Sequence, residues 1–275
     1  MIHTYIQPSA HLRDYIKVYM LLHFQFSPND PVPIKPFPAS PNQGITFYPR
    51  GFLTAHHPDE GKLIRRPQTV IFGQQVKRLN LQLAQQEYIM FDVSFQPGIL
   101  AKFLRHDLGE FVNQNTDAEA VIGREIRSVN DQLANADTYQ EMVNIIEHYL
   151  WKRIQQVQMT LLPLDKASRW IIPNVSNWSL ERWADNSCLS ISQFERKFRE
   201  QVGVSPKLFT RIIRFDNAFR LKEANPHLDW LSVALQTGYH DYQHLVKDFK
   251  QFSGDTPNTL LKENDHSPER WLGLI

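Results

Sequence analysis

At 275 residues, with 42% apolar and 21% charged positions, the chain is long enough for two domains with ordinary cores and has a soluble globular composition. No apolar run approaches the roughly 20 residues of a membrane span, and the N-terminus lacks the basic-then-apolar pattern of a signal peptide, so a cytoplasmic protein is expected. The single cysteine, Cys188, excludes an internal disulfide and a cysteine-based metal framework, and the net charge of +1 is silent about nucleic acid.

Residues 1 to 110 read mainly as strands. Val18 to Phe26 is rich in β-formers and stops at Ser27-Pro28. Six prolines between Pro28 and Pro41 then predict a loop. Gly44 to Tyr48, Thr69 to Gly73, Leu79 to Leu83 and Tyr88 to Phe95 continue the series. Many short strands with turn signals suggest a small antiparallel barrel or sandwich. Gln96-Pro97-Gly98 closes the sheet, and Ile99 to Leu104 opens a helical region. From Thr138 to about Val157, Met142, Val143, Ile146, Tyr149, Leu150 and Ile154 fall on one helical face. That stripe either packs on its own barrel or serves a second copy. Leu162-Pro163 marks a domain boundary, with a helix ending at Trp170-Ile171-Ile172-Pro173.

Beyond it, one pattern occurs twice. Phe198-Arg199-Glu200-Gln201-Val202-Gly203-Val204-Ser205-Pro206 is matched 51 positions later by Phe249-Lys250-Gln251-Phe252-Ser253-Gly254-Asp255-Thr256-Pro257. Gly after an apolar-periodic run ends a helix in the left-handed region, and Ser/Thr-Pro begins the next. Upstream stand Ala184 with Cys188 and Ala234 with Gly238, each a small residue followed four later by a turn residue. That is the requirement of a helix-turn-helix, and the chain contains two. Between them, Pro206 to about Ala224 predicts a helix with Leu208, Ile212, Phe215 and Phe219 inward. Its 18 or so residues span roughly 27 Å, the scale of one DNA turn of about 34 Å. The chain is therefore expected to be α+β. A β-rich, barrel-like N-terminal domain with helices (1–160) precedes an all-helical domain with two helix-turn-helix units and a spacer helix (161–275).

Ser179 to Ala184, Leu189 to Phe194, Gly203 to Pro206, Arg214 to Ala218, Gly238-Tyr239 and Asp248 to Lys250 together resemble the DNA-binding domain of AraC/XylS-type bacterial transcription regulators. More weakly, through Phe95-Gln96-Pro97-Gly98, residues 1 to about 160 look similar to an N-terminal domain of uncharacterised role in some of them. Cys188 departs from the usual Gly, so its turn is either strained or not left-handed. Leu245 replaces the usual aromatic, and no Tyr-Arg follows Pro257, which predicts a looser second core.

A recognition helix offers its N-terminal outward side chains to base edges. Phe194 and Phe198 point inward. The resemblance maps base reading to Ser192, Glu195 and Arg196 in the first unit. It maps the second unit's to Tyr242, Gln243, Val246 and Lys247, with Leu245 and Phe249 inward. Arg196 suits guanine, Glu195 suits a cytosine amino group or the orientation of Arg196, Gln243 suits adenine, and Val246 suits a thymine methyl. Lys197, Arg199, Lys207, Arg211, Arg214 and Lys250 are phosphate candidates. Residues 190 to 222 hold eight Lys/Arg against three Asp/Glu, and residues 223 to 275 hold four against eight.

No acid–base cluster or phosphate loop suggests an enzyme. His56-His57 with Asp59-Glu60 reads as a surface turn rather than a metal site, and no cofactor is implied. The expected partner is promoter or operator DNA. A small-molecule effector is implied by the resemblance, whereas the alternative is a ligand-free oligomerisation or protein-contact module. RNA polymerase and a second copy of the chain remain open as partners, and a membrane is not expected.

Overall fold

The computed structural model describes residues 1–27, 33–58, 61–83, 85–173, 175 and 179–274. Among the described residues, ten strands form two antiparallel sheets. The larger runs β1 (Ile2–Ile6), β2 (Ile16–Gln25), β9 (Glu87–Phe95), β4 (Gly44–Arg50), β7 (Thr69–Phe72), β10 (Asn115–Asp117) in spatial order. The smaller runs β3 (Ile34–Phe37), β8 (Leu79–Leu83), β5 (Leu53–His57), β6 (Lys62–Arg65). The sheets stay open rather than closing into a barrel. Alternation decides what each face of the larger sheet does. Tyr19, Leu21, Phe47, Phe91 and Val93 share a core with helices α1 (Ile99–Leu104), α2 (Ala118–Ile122), α3 (Glu125–Ala134) and α4 (Tyr139–Gln156). Leu22, Phe24, Tyr48, Tyr88 and Met90, one residue out of step, face the smaller sheet. Because β9 is buried on both faces, its sequence alternates only in part.

Two expectations meet a different outcome here, and a third, left between two readings, is decided. The proline stretch contains a strand, although residues 28–32 lie outside the described residues. Pro36 is tolerated because β3 is an edge strand, where a missing N–H breaks no ladder. His56 and His57 lie in β5, opposite Leu63 and Lys62, rather than in a turn, while Asp59 and Glu60 fall outside the described residues. The apolar stripe of α4 is buried in the chain's own core, so it is not available to a second copy.

The helical region follows the sequence's punctuation. α5 (Pro163–Ile171) starts with proline at its first position, and the Asp165 carboxylate accepts from Leu162 N at 2.6 Å. Then come α6 (Leu180–Asn186), α7 (Ile191–Val202), α8 (Pro206–Ala224), α9 (Trp230–Gln236), α10 (Tyr242–Ser253), α11 (Pro257–Asn264) and α12 (Pro268–Trp271). The side-chain oxygens of Ser179, Ser190, Ser205, Asp229, Asp241 and Thr256 cap the helices that follow them, satisfying amides that have no intrahelical partner. α8 has 19 residues and walls two cores at once. Phe209 and Ile213 join Phe194, Phe198 and Val202, whereas Ile212, Phe215 and Ala218 join Leu245, Phe249 and Phe252. Leu245 is fully buried, and Phe215 meets Phe249 edge-on with ring centroids 4.8 Å apart. The second core is therefore filled despite the missing aromatic.

Candidate nucleic-acid interface

The two helix-turn-helix units repeat one geometry bond for bond. In the first, Leu189 N donates to Ala184 O at 3.0 Å and the Ser187 hydroxyl donates to Trp183 O at 2.8 Å. In the second, Tyr239 N donates to Ala234 O at 2.9 Å and the Thr237 hydroxyl donates to Val233 O at 2.7 Å. Ala184 and Ala234 are buried where the helices meet, which leaves no room for a longer side chain. Cys188 stands at φ 55° and Gly238 at φ 83°, so the first turn is left-handed and its non-glycine residue is strained.

Each turn launches a recognition helix, α7 or α10, with a satisfied N-terminus. Ser190 and Gln193 cap reciprocally: Gln193 N donates to Ser190 Oγ at 3.3 Å, and Ser190 N donates to Gln193 Oε1 at 3.1 Å. Gln193 is thereby spent locally. On α10, Asp241 accepts from His244 N at 2.8 Å and from the His244 ring at 2.9 Å, and the amide holds its carboxyl below the ordinary range. Ser192, Glu195 and Arg196 are exposed together on the first turns of α7, and Tyr242, Gln243 and Lys247 on those of α10, with Val246 half-buried beside them. Arg196 is held along its own helix by Glu200 at 3.0 Å, an exposed pair that costs little to exchange for another acceptor.

The cations divide into two groups. Arg199, Lys207 and Lys250 are exposed and Lys197 is half-buried. Arg211 and Arg214 are already engaged within the second unit. Arg211 donates to Asp248 at 2.6 Å and to Gln251 at 2.6 Å, and lies over the Phe252 ring. Arg214 donates to Gly238 O at 3.2 Å and sits over Tyr239. Asp248, itself buried, also accepts from the Tyr239 hydroxyl at 3.1 Å. This network ties α8 to α10, so a phosphate claiming Arg211 would have to compete with a buried carboxylate.

Comparison with known proteins agrees with this geometry. Residues 183–263 match the family described as a helix-turn-helix domain. The chain carries an AraC-type helix-turn-helix domain. Residues 4–117 match a domain of unknown function, DUF6597. An uncharacterized HTH-type transcriptional regulator of Haemophilus influenzae is 25% identical over 142 residues, 50% of this chain and 46% of that protein. The HTH-type transcriptional regulator MtrA of Neisseria gonorrhoeae is 31% identical over 86 residues, 31% of this chain and 28% of its own length. The chain thus spans less than half the length of these curated relatives. Among solved structures, ToxT from Vibrio cholerae O395 covers 89% of this chain and 96% of its own at 12% identity, with a TM-score of 0.48.

The AraC-type domain leans on the β-rich region through the far ends of both recognition helices. At the end of α7, Gln43 Nε2 donates to the Val202 carbonyl at 2.6 Å. Gly203, at φ 88°, presses on the short 3-10 turn Leu108–Phe111, where an added Cβ would lie 2.8 Å from Leu108 O. At the end of α10, Ala39 N donates to Phe252 O at 2.9 Å, and Arg78 reaches the Asp255 carboxylate at 2.5 Å and Glu263 at 2.8 Å. Sequence reading missed Gln43, Ala39 and Arg78 entirely. No local signal marks them, because each acts across more than 150 residues of chain. Gly203 was visible, but as a helix end rather than as a contact.

Proposed function

We propose that the protein is a sequence-specific DNA-binding transcriptional regulator that reads two successive major-groove segments. The reading is carried by one observation: two matched recognition helices joined by a 19-residue spacer, each presenting polar side chains on its first turns. Ser192, Glu195, Arg196, Tyr242, Gln243, Val246 and Lys247 are the proposed base readers. Lys197, Arg199, Lys207 and Lys250 are the proposed phosphate contacts, with Arg211 and Arg214 positioning α8 against the second unit. Selection of bound duplexes from random DNA tests this. The expected product is a site with two conserved segments about ten base pairs apart. Recovery of no consensus sequence would overturn it.

The DNA-binding domain is proposed to begin at Leu162-Pro163, and the β-rich region to act as a small-molecule sensor. The sensor reading is supported by a cavity of about 280 Å³ between the two sheets, bordered by Phe219 of α8 and Glu269 of α12. The alternative, a ligand-free oligomerisation or protein-contact module, has less support, because the apolar stripe of α4 lies in the chain's own core. A cytoplasmic location and contacts with RNA polymerase belong to the same proposal. Among the described residues, no helix is long and apolar enough to cross a membrane.

A further inference from the structure

The cavity between the sheets has a chemistry that narrows what it takes. Its walls are largely apolar, with Met20, Leu22, Leu53, Leu81 and Met90 among them. Across its floor, on the inward face of β4 and β9, lies a buried polar group. Asp92 accepts from Thr46 Oγ1 at 3.2 Å and from Ser94 Oγ at 3.1 Å. Arg66 donates to the Tyr48 hydroxyl at 2.6 Å and to Asn115, leaving its Nε without a partner. Buried donors without acceptors are costly, and they favour a partner that brings one.

Charge decides between an ionic and a neutral partner. The lining carries Lys35, Arg66 and Arg220 against Asp92, Asp216, Glu223 and Glu269. Lys35 is paired with Glu269, Arg220 with Asp216 at 2.7 Å, and Glu223 with Arg270 at 3.0 Å. Arg66, with no carboxylate in ion-pairing range among the described residues, shares the floor with the Asp92 carboxyl. An anion entering here would find the rim charges already paired off, and the one cation outside an ion pair, Arg66, beside the Asp92 carboxyl, so it gains no net positive field.

We infer that the cavity is a site for an uncharged small molecule with an apolar body and a carbonyl or hydroxyl group directed at the Arg66–Tyr48–Asp92 floor. The inference rests on the sensor reading above and names its ligand class. Binding would be felt in the DNA-binding part, because Ala39, which holds the Phe252 carbonyl, and Phe219 of α8 both line the same cavity.

Three probes of equal size and shape test it on the full chain by titration calorimetry: 4-phenylbutan-2-one, 3-phenylpropanoate and isopentylbenzene. The ketone is expected to bind with Kd at or below about 1 mM, and about tenfold more tightly than either the acid or the hydrocarbon. Leu81→Trp, which fills the cavity, should abolish ketone binding, and Arg66→Lys should narrow its advantage over the hydrocarbon. Tighter binding of the acid, equal binding of ketone and hydrocarbon, or binding of none overturns the inference. Operator affinity, followed in the same samples, separates the two readings. If the ketone binds without altering it, the sensor reading fails while the cavity chemistry stands. If the acid binds more tightly and alters it, the chemistry fails while the sensor reading stands.

Discussion

Asp92 is a carboxyl group whose surroundings oppose its charge. Burial pushes its carboxyl up from 3.8 to about 6, against the two hydroxyls that favour the charged form. The folded state therefore holds this proton more tightly than the unfolded one, so stability falls as pH rises from about 4 to about 6 and stays lowered above. At about 1.4 kcal/mol per tenfold, that penalty is bounded at about 3 kcal/mol. Asp92→Asn removes it and keeps the shape, and both hydroxyls can rotate to accept. The expected result is a variant with a higher Tm than the parent at pH 7.5 and an advantage that shrinks steadily towards pH 4. An advantage independent of pH would show that ionisation there is free. Cys188 offers a second test. Its left-handed backbone costs about 1–2 kcal/mol for a side chain bearing Cβ, and glycine relieves that at an entropic cost of about 0.5–1 kcal/mol. Cys188→Gly should then stabilise the protein by about 0.5 kcal/mol in urea unfolding, with DNA affinity unchanged. Destabilisation would mean that the exposed thiol is held by packing that outweighs the turn.

At the scale of the element, what α7 does depends on its two ends. Its N-terminal turns carry Arg196 free to leave Glu200, and its C-terminus is fastened by Gln43. Arg196→Ala should cost about 1–3 kcal/mol at the selected site and relax preference at one base pair. Uniform weakening on all sequences would reassign it to phosphate. Helices were legible in the sequence because their signals are local: Ser205-Pro206 and Thr256-Pro257 start them, and Gly203 and Gly254 stop them. The strands were legible where one face is wet or a turn intervenes, as at β8. β3 was hidden by Pro36, whose tolerance depends on lying at an edge, a fact of the sheet and not of the segment. The candidate base readers were legible as positions on a helix. The internal engagement of Arg211 was not, since Asp248 lies 37 residues away on another helix.

The whole molecule distributes its charge unevenly between the two units, and the internal pairs sharpen the contrast. Eight Lys/Arg stand against three Asp/Glu in residues 190–222, and four against eight in residues 223–275. The charge of Asp248 is turned inward to Arg211, whereas Asp241 stands half-exposed at the start of α10, where on the proposed reading it would oppose the approach of a phosphate. Residues 161–275 supply Phe194, Phe198, Phe209, Phe249 and Phe252 to their own cores, so the fragment should fold alone. It loses the packing of Val76 and Val112, and should melt below the full chain. A molten fragment would move the boundary. Within either protein, each phosphate neutralised on duplex DNA adds about 0.9 to the slope of log affinity against log salt. The first unit brings Arg196, Lys197, Arg199 and Lys207, and the second brings Lys247 and Lys250. The first unit should therefore anchor the protein, with Tyr242, Gln243 and Lys247 adding selectivity. Scrambling the segment under α7 is expected to cost more affinity than scrambling the one under α10. Neutralising Lys197 and Arg199 should flatten the salt dependence more than neutralising Lys247 and Lys250. Equal losses from both segments, with equal changes of slope, would mean that helix N-termini, which bind phosphate without formal charge, hold the DNA at both units alike.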